Sequence, residues 1–251
     1  MKQTVRSTLA VLLLGWAILG GGCETPPPRY GTETQMFLPG GKQQVWAIAP
    51  AVNISGQKSV DPILQADVVY QQMQQVHGLT VLPVNRVVEV YAGLKIEKLE
   101  SPGQAALVCD LLGCDALVVP TVTVYDPYDP PKMGASLQVF AKPAGFVRPE
   151  AIDVRELARM AAPREEQSLA PPDAQFLQAV GMFDSANGSV RDAVMDYARG
   201  RHDPLGPMGP KEYFQSMERY CGFVYNALTN DLLKQLEARQ PAPKAPKEPA
   251  D

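Results

Sequence analysis

Three aspartates are the side chains whose types and spacing could support metal chemistry. Asp126 and Asp129 follow the most strongly strand-forming run of the chain, and Asp184 follows a second apolar run. If these two strands end side by side, the three carboxylates meet, and carboxylate oxygens are the ligands that a hard cation prefers. The alternative is structural, because aspartates in turns commonly accept hydrogen bonds from nearby backbone N–H groups. We favour the structural interpretation and predict neither a metal site nor a cofactor.

The rest of the sequence contains no recognisable catalytic motif. It has no nucleophile elbow, no zinc motif and no glycine-rich phosphate loop followed by Lys and Ser or Thr. The two histidines, His77 and His202, do not lie near a pair of cysteines. A formal net charge of -4 without a basic stripe argues against nucleic-acid binding. We therefore predict a protein that is not an enzyme and that works through contacts with other molecules.

An aromatic, proline-rich loop is the best candidate for such contacts. Tyr125, Asp126, Tyr128 and Asp129 are interspersed with prolines, and this composition predicts a rigid loop. A rigid loop loses little conformational entropy on binding, and tyrosine is enriched at protein interfaces. The other interpretation is that the aromatic rings only pack within the turn, and the sequence leaves both interpretations open.

The first 22 residues have the organisation of a secretory signal peptide. Lys2 and Arg6 give a positive start, residues 9–19 form an uninterrupted apolar run, and residues 20–22 supply the small side chains of a cleavage site. The apolar run is shorter than the roughly 20 residues that a membrane-spanning helix needs. We predict that residues 1–22 are removed, which leaves 21 basic against 27 acidic residues, a net charge of -6.

Cys23 follows this segment directly and predicts a lipid anchor. The surrounding sequence resembles the lipobox of bacterial lipoproteins, in which Leu, two small residues and Cys follow one another, although Leu19 lies one position too far upstream and Gly20 takes its place. The resemblance implies that Cys23 is acylated, and each buried methylene of such a chain contributes about 0.8 kcal/mol to membrane binding. The next residue is Glu24 and not the aspartate that retains lipoproteins in the inner membrane, so we expect the outer membrane, facing the periplasm. The alternative is a secreted protein with an unmodified thiol at Cys23.

The other three cysteines, Cys109, Cys114 and Cys221, allow at most one intramolecular disulfide. An oxidising compartment permits such a bond, and the pairing cannot be read from the sequence. We favour buried thiols, because cysteine often behaves as a small buried apolar residue.

Apolar periodicity and turn residues locate the predicted elements. Strand-like runs and helical repeats alternate in the first half of the chain, whereas adjacent strands follow in the middle. This order predicts an α/β fold, a two-layer or three-layer sandwich with a mixed β-sheet flanked by helices. The predicted strands are 45–50, 79–84, 115–125, 133–141 and 176–183, and the predicted helices start at Pro62, after Asn85, at Pro102, at Gly188 and at Lys211.

The composition predicts one folded domain with extensions at both ends. Beyond the lipidated Cys23, residues 23–44 are rich in proline, glycine and polar residues and predict a flexible linker. Residues 45–239 form the predicted α/β domain, and residues 240–251, rich in Pro, Lys and Ala, a disordered tail. A long amphipathic helix over 211–239 ends the domain. Its apolar stripe either packs on the sheet or joins copies of the chain, and we favour packing on the sheet.

The stretch 45–125 resembles a known bacterial pattern. Its elements are an apolar strand ending at Pro50, the tetrapeptide 53–56, a helix ending at Gly78, a strand followed by Arg86, and Gly113–Val118 leading into the next strand. This order is similar to that of the superfamily of the curli-secretion lipoprotein CsgG and the penicillin-binding-protein activator LpoB. The resemblance implies a non-enzymatic periplasmic lipoprotein that works through protein contacts.

Two functions agree with that resemblance. The first is a membrane-anchored, non-catalytic adaptor or activator that binds a protein in envelope or cell-wall assembly. The second is an oligomeric component of a secretion or transport system, but a secretion pore of this superfamily needs long amphipathic hairpins, and only 117–125 and 133–141 approach that length. We therefore favour the adaptor. Its expected partners are the lipid bilayer, which it contacts through Cys23, and an envelope protein. A homo-oligomer is the other assembly that we consider.

Overall fold

The computed structural model of the protein describes residues 35–141 and 176–239. Its strands are β1 (Met36–Phe37), β2 (Gln44–Ile48), β3 (Val52–Asn53), β4 (Val76–His77), β5 (Leu79–Leu82), β6 (Ala116–Asp126), β7 (Lys132–Ala141) and β8 (Phe176–Asp184). Its helices are α1 (Pro62–Met73), α2 (Val84–Leu94), α3 (Pro102–Leu112), α4 (Gly188–Ala198), α5 (Glu212–Gln215) and α6 (Met217–Arg239), with a 3₁₀ turn at Gly209–Lys211. The predicted signal peptide, Cys23 and the predicted tail 240–251 lie outside the described residues.

The main sheet is mixed, which confirms the predicted fold class. Its strands run in the order β5-β2-β6-β7-β8, and β3 also pairs with β6. The pairs among β2, β3, β5 and β6 are parallel, whereas β7 is antiparallel to both β6 and β8. Helical crossovers join the parallel strands, while the short connection 127–131 lets β6 and β7 pair as a hairpin. β1 and β4 form a separate parallel pair.

Helices cover both faces of the parallel half of the sheet. On one face, Val118 of β6 belongs to a core cluster with Val69 of α1 and Leu228 of α6. On the opposite face, Leu117 belongs to a second cluster with Val87 of α2, together with residues of α3. This half of the fold is therefore a three-layer sandwich.

Among the described residues, helices cover only one face of the edge strand β8. Leu177 and Ala179 of β8 are buried in the cluster that contains α6, whereas Val180 and Met182 point to the other face and are 64% and 57% exposed. The sequence predicted two or three layers. Within residues 35–141 and 176–239, the fold has three layers at β5, β2 and β6 and two layers at β8.

Local sequence determines where α1 and α3 begin. Asp61 caps α1, because its carboxylate accepts hydrogen bonds from two backbone N–H groups of the first turn, and Ser101 caps α3 in the same way. A proline follows each cap, at a position whose missing N–H would have no helical partner. Gly113 ends α3 with a left-handed φ of 69°, a conformation that has no steric cost for glycine. These boundaries agree with the predictions.

Other predicted helix boundaries are wrong. α2 begins directly after Pro83, so Asn85 lies inside the helix instead of capping it. α1 ends at Met73, because Val76–His77 pair with β1 as a strand. The predicted helix 211–239 is interrupted at Ser216, whose backbone is extended and whose Oγ accepts a hydrogen bond from the N–H of Arg219 at 3.4 Å. A serine that bonds to the backbone competes in this way with helix continuation.

The folded region starts before the predicted boundary at residue 45. Met36 and Leu38 are buried, at 5% and 7% exposure, and the N–H of Leu38 donates to the carbonyl of His77 at 2.9 Å. Part of the predicted linker 23–44 therefore packs against the domain. The sequence did not predict β1, because a strand of two residues is too short to show the apolar–polar alternation by which strands are recognised.

The C-terminal helix forms part of the core, as predicted. Tyr220, Val224 and Leu228 of α6 are fully buried against the sheet and α1. Cys109, Cys114 and Cys221 are buried and form no disulfide with one another, which confirms the preferred interpretation. None of the helices in the two described ranges is long and apolar enough to span a bilayer.

The two ends of the sheet carry different segments of the chain, and we call them the entry pole and the hairpin pole. At the entry pole, β2 begins at Gln44 beside the first residue of β5, and Ala116 of β6 pairs with Ala141 of β7. At the hairpin pole, β6 ends at Asp126 and β7 begins at Lys132. Because β6 has 11 residues, the two poles are roughly 35 Å apart at the usual rise of a strand.

Candidate functional site

The hairpin pole brings the ends of three strands together. Antiparallel pairing places Asp126 of β6 opposite Lys132 of β7, and Lys132 opposite Asp184 of β8. Residues 127–131 connect β6 to β7, and the Asp129–Pro130 peptide bond is cis. Three charged side chains from three strands therefore lie in one row across the end of the sheet.

An ion pair occupies the position at which the sequence allowed a cation. Lys132 Nζ lies 2.6 Å from Asp184 Oδ2. A hydrogen bond from Lys132 and another from the N–H of Ala186 hold the pKa of Asp184 below its usual value. The same hydrogen bond with Asp184, its negative charge and, more weakly, the charge of Asp126 raise the pKa of Lys132. The ammonium group thus forms an ion pair with Asp184 and lies within the electrostatic influence of Asp126.

The aspartates also serve as turn residues, which confirms the structural interpretation for two of them. Asp126 Oδ1 accepts a hydrogen bond from the N–H of Tyr128 at 3.2 Å, and Asp184 Oδ1 accepts one from Ala186 at 3.0 Å. Asp129 lies in the connecting loop, away from the paired row. Within residues 35–141 and 176–239, no group of three or more His, Cys, Asp or Glu side chains could hold a metal ion.

The four residues of the predicted interaction loop have different environments. Tyr125 is half-buried and packs against the main core cluster. Burial, followed by the nearby thiol of Cys221, raises the pKa of Tyr125 to about 12. Tyr128, in contrast, is 80% exposed. Tyr125 therefore packs within the fold and Tyr128 is exposed to solvent, and the binding role of the loop stays a prediction.

A cleft of about 400 Å³ lies between this loop and the helices beside it. Ser185 Oγ donates to the carbonyl of Pro131 at 2.9 Å, and Arg191 Nε donates to the carbonyl of Ser185 at 3.3 Å. These two bonds connect the loop to β8 and α4. The cleft is lined by Asp129, Pro130, Ser185, Arg191, Asp192, Met195, Lys211, Phe214 and Gln215.

The cleft combines opposite charges with an aromatic ring. Arg191 and Lys211 are cationic, Asp129 and Asp192 are anionic, and Phe214 supplies apolar surface. Charges of both signs beside an apolar side chain can complement a polypeptide surface, and such complementarity gives specificity more than affinity. Sequence reasoning missed this cleft and the role of Lys132, because both depend on strand register and on segments more than 50 residues apart.

The chain matches no protein-family model and no curated protein. Structures with a similar arrangement include the hypothetical protein CT253 from Chlamydia trachomatis, at 14% identity over 78% of this chain and 95% of that chain, with a TM-score of 0.33. Lipoprotein GNA1162 from Neisseria meningitidis has 14% identity over 61% of this chain and 94% of its own, with a TM-score of 0.32. PelC from Paraburkholderia phytofirmans, determined as a dodecamer, has 8% identity over 68% of this chain and 88% of its own, with a TM-score of 0.29. The similar structures thus include a bacterial lipoprotein, at low similarity, and the resemblance to the CsgG and LpoB superfamily stays a prediction.

Proposed function

We propose that this chain is a lipid-anchored lipoprotein of the bacterial cell envelope whose hairpin pole binds a protein partner. It acts as a non-catalytic adaptor or activator in envelope or cell-wall assembly. The observation that carries the proposal is the distance between the two ends of the sheet. The N-terminal chain enters the domain at the entry pole, and the exposed Tyr128 lies at the opposite pole, roughly 35 Å away by the rise of β6.

The length of the N-terminal segment supports this orientation. Gln35, the first described residue, follows Cys23 by twelve positions, and a fully extended chain of twelve steps spans at most about 40 Å. An acylated Cys23 therefore keeps Gln35, at the entry pole, within about 40 Å of the bilayer. We propose that the hairpin pole, the end of the sheet farther along the chain from the anchor, faces the periplasmic partner. Because residue 24 is Glu, we place the anchor in the outer membrane.

The surface at the hairpin pole supports binding rather than catalysis. Tyr128 offers a large exposed ring on a short loop whose base is fixed by Tyr125. The neighbouring cleft adds both signs of charge. Tyrosine and arginine are the residue types that most often dominate binding energy at protein interfaces. A protein surface is thus the partner that these residues fit best.

Site-specific crosslinking in cells tests the predicted orientation. A photoreactive amino acid in place of Tyr128 is expected to give discrete crosslinked protein bands. The matched control is the same replacement at Phe37, which is 58% exposed in β1 near the entry pole, and we expect few or no bands from it. Equal bands at both positions, or none at Tyr128, would contradict the proposal.

A separate experiment tests the anchor. Mass spectrometry of the mature protein is expected to show acyl chains on Cys23 and no residues before it. Cys23→Ala should release the protein from the membrane fraction. A wild-type protein that is unmodified and recovered without membranes would overturn the lipoprotein assignment, whatever the crosslinking shows.

The size of the detergent-solubilised protein distinguishes the adaptor from the transport component. The chain has a mass of 27.2 kDa. An adaptor is expected to sediment as a monomer or small oligomer, whereas a ring of many copies would sediment at several times that mass. Observation of such a ring would favour the oligomeric secretion or transport component instead.

A further inference from the structure

A small sheet surface at the entry pole exposes an aromatic ring. β1 and β4 pair in parallel, with Phe37 opposite His77. Met36 and Val76, one residue earlier in each strand, point into the core and are 5% and 2% exposed. Phe37 and His77 point to the opposite side, where Phe37 is 58% exposed. Their rings are stacked, with centroids 5.0 Å apart and planes inclined by 25°. We call these two residues the entry face.

Backbone hydrogen bonds hold the entry face at the beginning of the main sheet. The N–H of Leu38 donates to the carbonyl of His77 at 2.9 Å, and the N–H of Gln44 donates to the carbonyl of Gly78 at 3.1 Å. β5 begins at the next residue, Leu79. The entry face therefore lies where β2 and β5 start, at the pole opposite the exposed loop 127–131.

The chain that precedes β1 leads directly to the proposed anchor. Phe37 follows Cys23 by 14 positions, and a fully extended chain of 14 steps spans at most about 50 Å. Acyl chains on Cys23 would thus keep the entry face within that distance of a bilayer. Because such a tether makes the encounter intramolecular, even a weak contact between the domain and the membrane becomes populated.

We propose that the entry face lies against the surface of the bilayer that holds the anchor. The Phe37 ring inserts at the boundary between headgroups and acyl chains. His77 combines an apolar ring with polar nitrogens, and its N–H donates to a headgroup phosphate. The inference rests on the proposed lipid anchor and goes beyond it, because a tether alone does not determine which surface of the domain faces the membrane.

The charges near the entry face fit a phospholipid surface. Segments 35–44 and 74–80 contain one side chain that is charged at neutral pH, the exposed Lys42. Lysines close to a membrane are attracted to anionic headgroups. The carboxylate that lies closest along the paired strands, Asp115, accepts a hydrogen bond from the N–H of Val45 at 2.7 Å. Lysine on the polar side and phenylalanine on the apolar side are typical of surfaces that bind at the bilayer interface.

Tryptophan fluorescence of the mature, acylated protein in lipid vesicles tests the inference. The vesicles contain phosphatidylcholine and phosphatidylglycerol, and in a parallel set the acyl chains are brominated near their headgroup end. We expect Phe37→Trp to lose about half of its added fluorescence or more in the brominated vesicles, because interfacial side chains lie about 5–10 Å deep. Bromine near the methyl end of the acyl chains should quench it less.

Two proteins provide the controls. The wild type gives the background, because its Trp46 is 3% exposed and Trp16 lies in the predicted signal peptide. Tyr128→Trp places the same reporter at the hairpin pole, at an 80% exposed position, and its added fluorescence should not be quenched. Equal quenching at positions 37 and 128 would show that the domain has no fixed orientation, which overturns the inference.

Lys42→Glu, combined with Phe37→Trp, tests the contribution of charge. We expect this substitution to weaken quenching in vesicles that contain phosphatidylglycerol and to leave it unchanged in phosphatidylcholine alone. Unchanged quenching in both would show that Lys42 does not contact anionic headgroups.

Vesicle flotation separates failure of the inference from failure of the proposed anchor. If the protein floats with the vesicles and the tryptophan at position 37 is not quenched, the anchor stands and the entry face does not contact the bilayer. If the wild type does not float with the vesicles, the anchor and this inference both fail. Strong protein crosslinks from position 37 in cells would also overturn the inference, because a protein would then occupy the entry face.

Discussion

Lys132 Nζ lies 2.6 Å from Asp184 Oδ2, in a row of three charges that Asp126 completes on the other side. The pair joins the first residue of β7 to the last residue of β8. It therefore holds the two antiparallel strands in register at the end where the exposed loop 127–131 begins. Protonation of Asp184 removes the negative charge of this pair, so acid weakens it.

The first prediction concerns Asp184→Asn. The lowered pKa of Asp184 means that the native state binds its proton less readily than the unfolded chain does. The resulting stabilisation is present above the ordinary value of 3.8 and is lost as the pH falls through the lowered native pKa. We expect the variant to have a lower urea midpoint than the wild type at neutral pH and the same midpoint in strong acid.

Glu89→Gln is the matched control for that prediction. Glu89 pairs with Arg86 at 3.5 Å, with both side chains about two-thirds exposed. Such surface pairs contribute little, so this variant should follow the wild type at every pH. If Asp184→Asn behaves like the control at neutral pH, the ion pair does not stabilise the hairpin pole.

The second prediction concerns Gly134 in β7. A Cβ atom built there would lie 2.5 Å from Thr123 Oγ1 and 3.2 Å from Val124 Cβ. Gly134→Ala is therefore expected to lower the free energy of unfolding by about 1–3 kcal/mol, the usual cost of overpacking. Gly93→Ala in α2 meets nothing within 4 Å and should raise it by about 0.5–1 kcal/mol, because alanine is the better helix former. Urea denaturation of both variants measures these two changes in the free energy of unfolding, which should have opposite signs.

The third prediction concerns a buried hydrogen bond between α6 and α1. Tyr225 is fully buried, and its hydroxyl donates to Gln65 Oε1 at 2.9 Å. Tyr225→Phe leaves the buried amide oxygen without this donor, and we expect a loss of about 1–3 kcal/mol in the free energy of unfolding. Tyr128→Phe, at an 80% exposed position, should change it by less than about 0.5 kcal/mol. Similar losses in the two variants would show that the bond is not important.

The fourth prediction concerns the response to alkali. Burial raises the pKa of Cys221 to about 12 from an ordinary value of 9.0. The unfolded chain therefore releases the thiol proton first, and stability falls as the pH rises from about 9 towards 12. We expect a contribution of about 1.4 kcal/mol per pH unit in that range. Cys221→Ala should show a shallower decline, measured as urea midpoints between pH 8 and about pH 10.

Alkylation provides an independent measurement for Cys221. A buried, protonated thiol reacts slowly, because the thiolate is the nucleophile. Native protein treated with iodoacetamide near pH 8 should keep Cys221 unmodified in peptide mass spectra, whereas protein in urea should react fully. Rapid alkylation of Cys221 in the native protein would contradict its burial.

The elements that local sequence controls could be predicted, and those that depend on partners could not. Asp61, Ser101 and Gly113 act on the backbone within a few residues, so the helix boundaries they set were correct. β1 was missed because a two-residue strand exists only through its pairing with β4. The break at Ser216 was missed because the apolar stripe predicted over 211–239 continues on both sides of it.

The sequence by itself determined the α/β class, the mixed sheet, the core role of α6 and the turn roles of Asp126 and Asp184, because hydrophobic period and capping act locally. Only the tertiary structure decided that Lys132 lies between the two carboxylates, and that Tyr125 is packed while Tyr128 is exposed. Register and crossover topology bring together residues that are distant in the chain, and neither the spacing nor the type of those residues encodes which of them will meet.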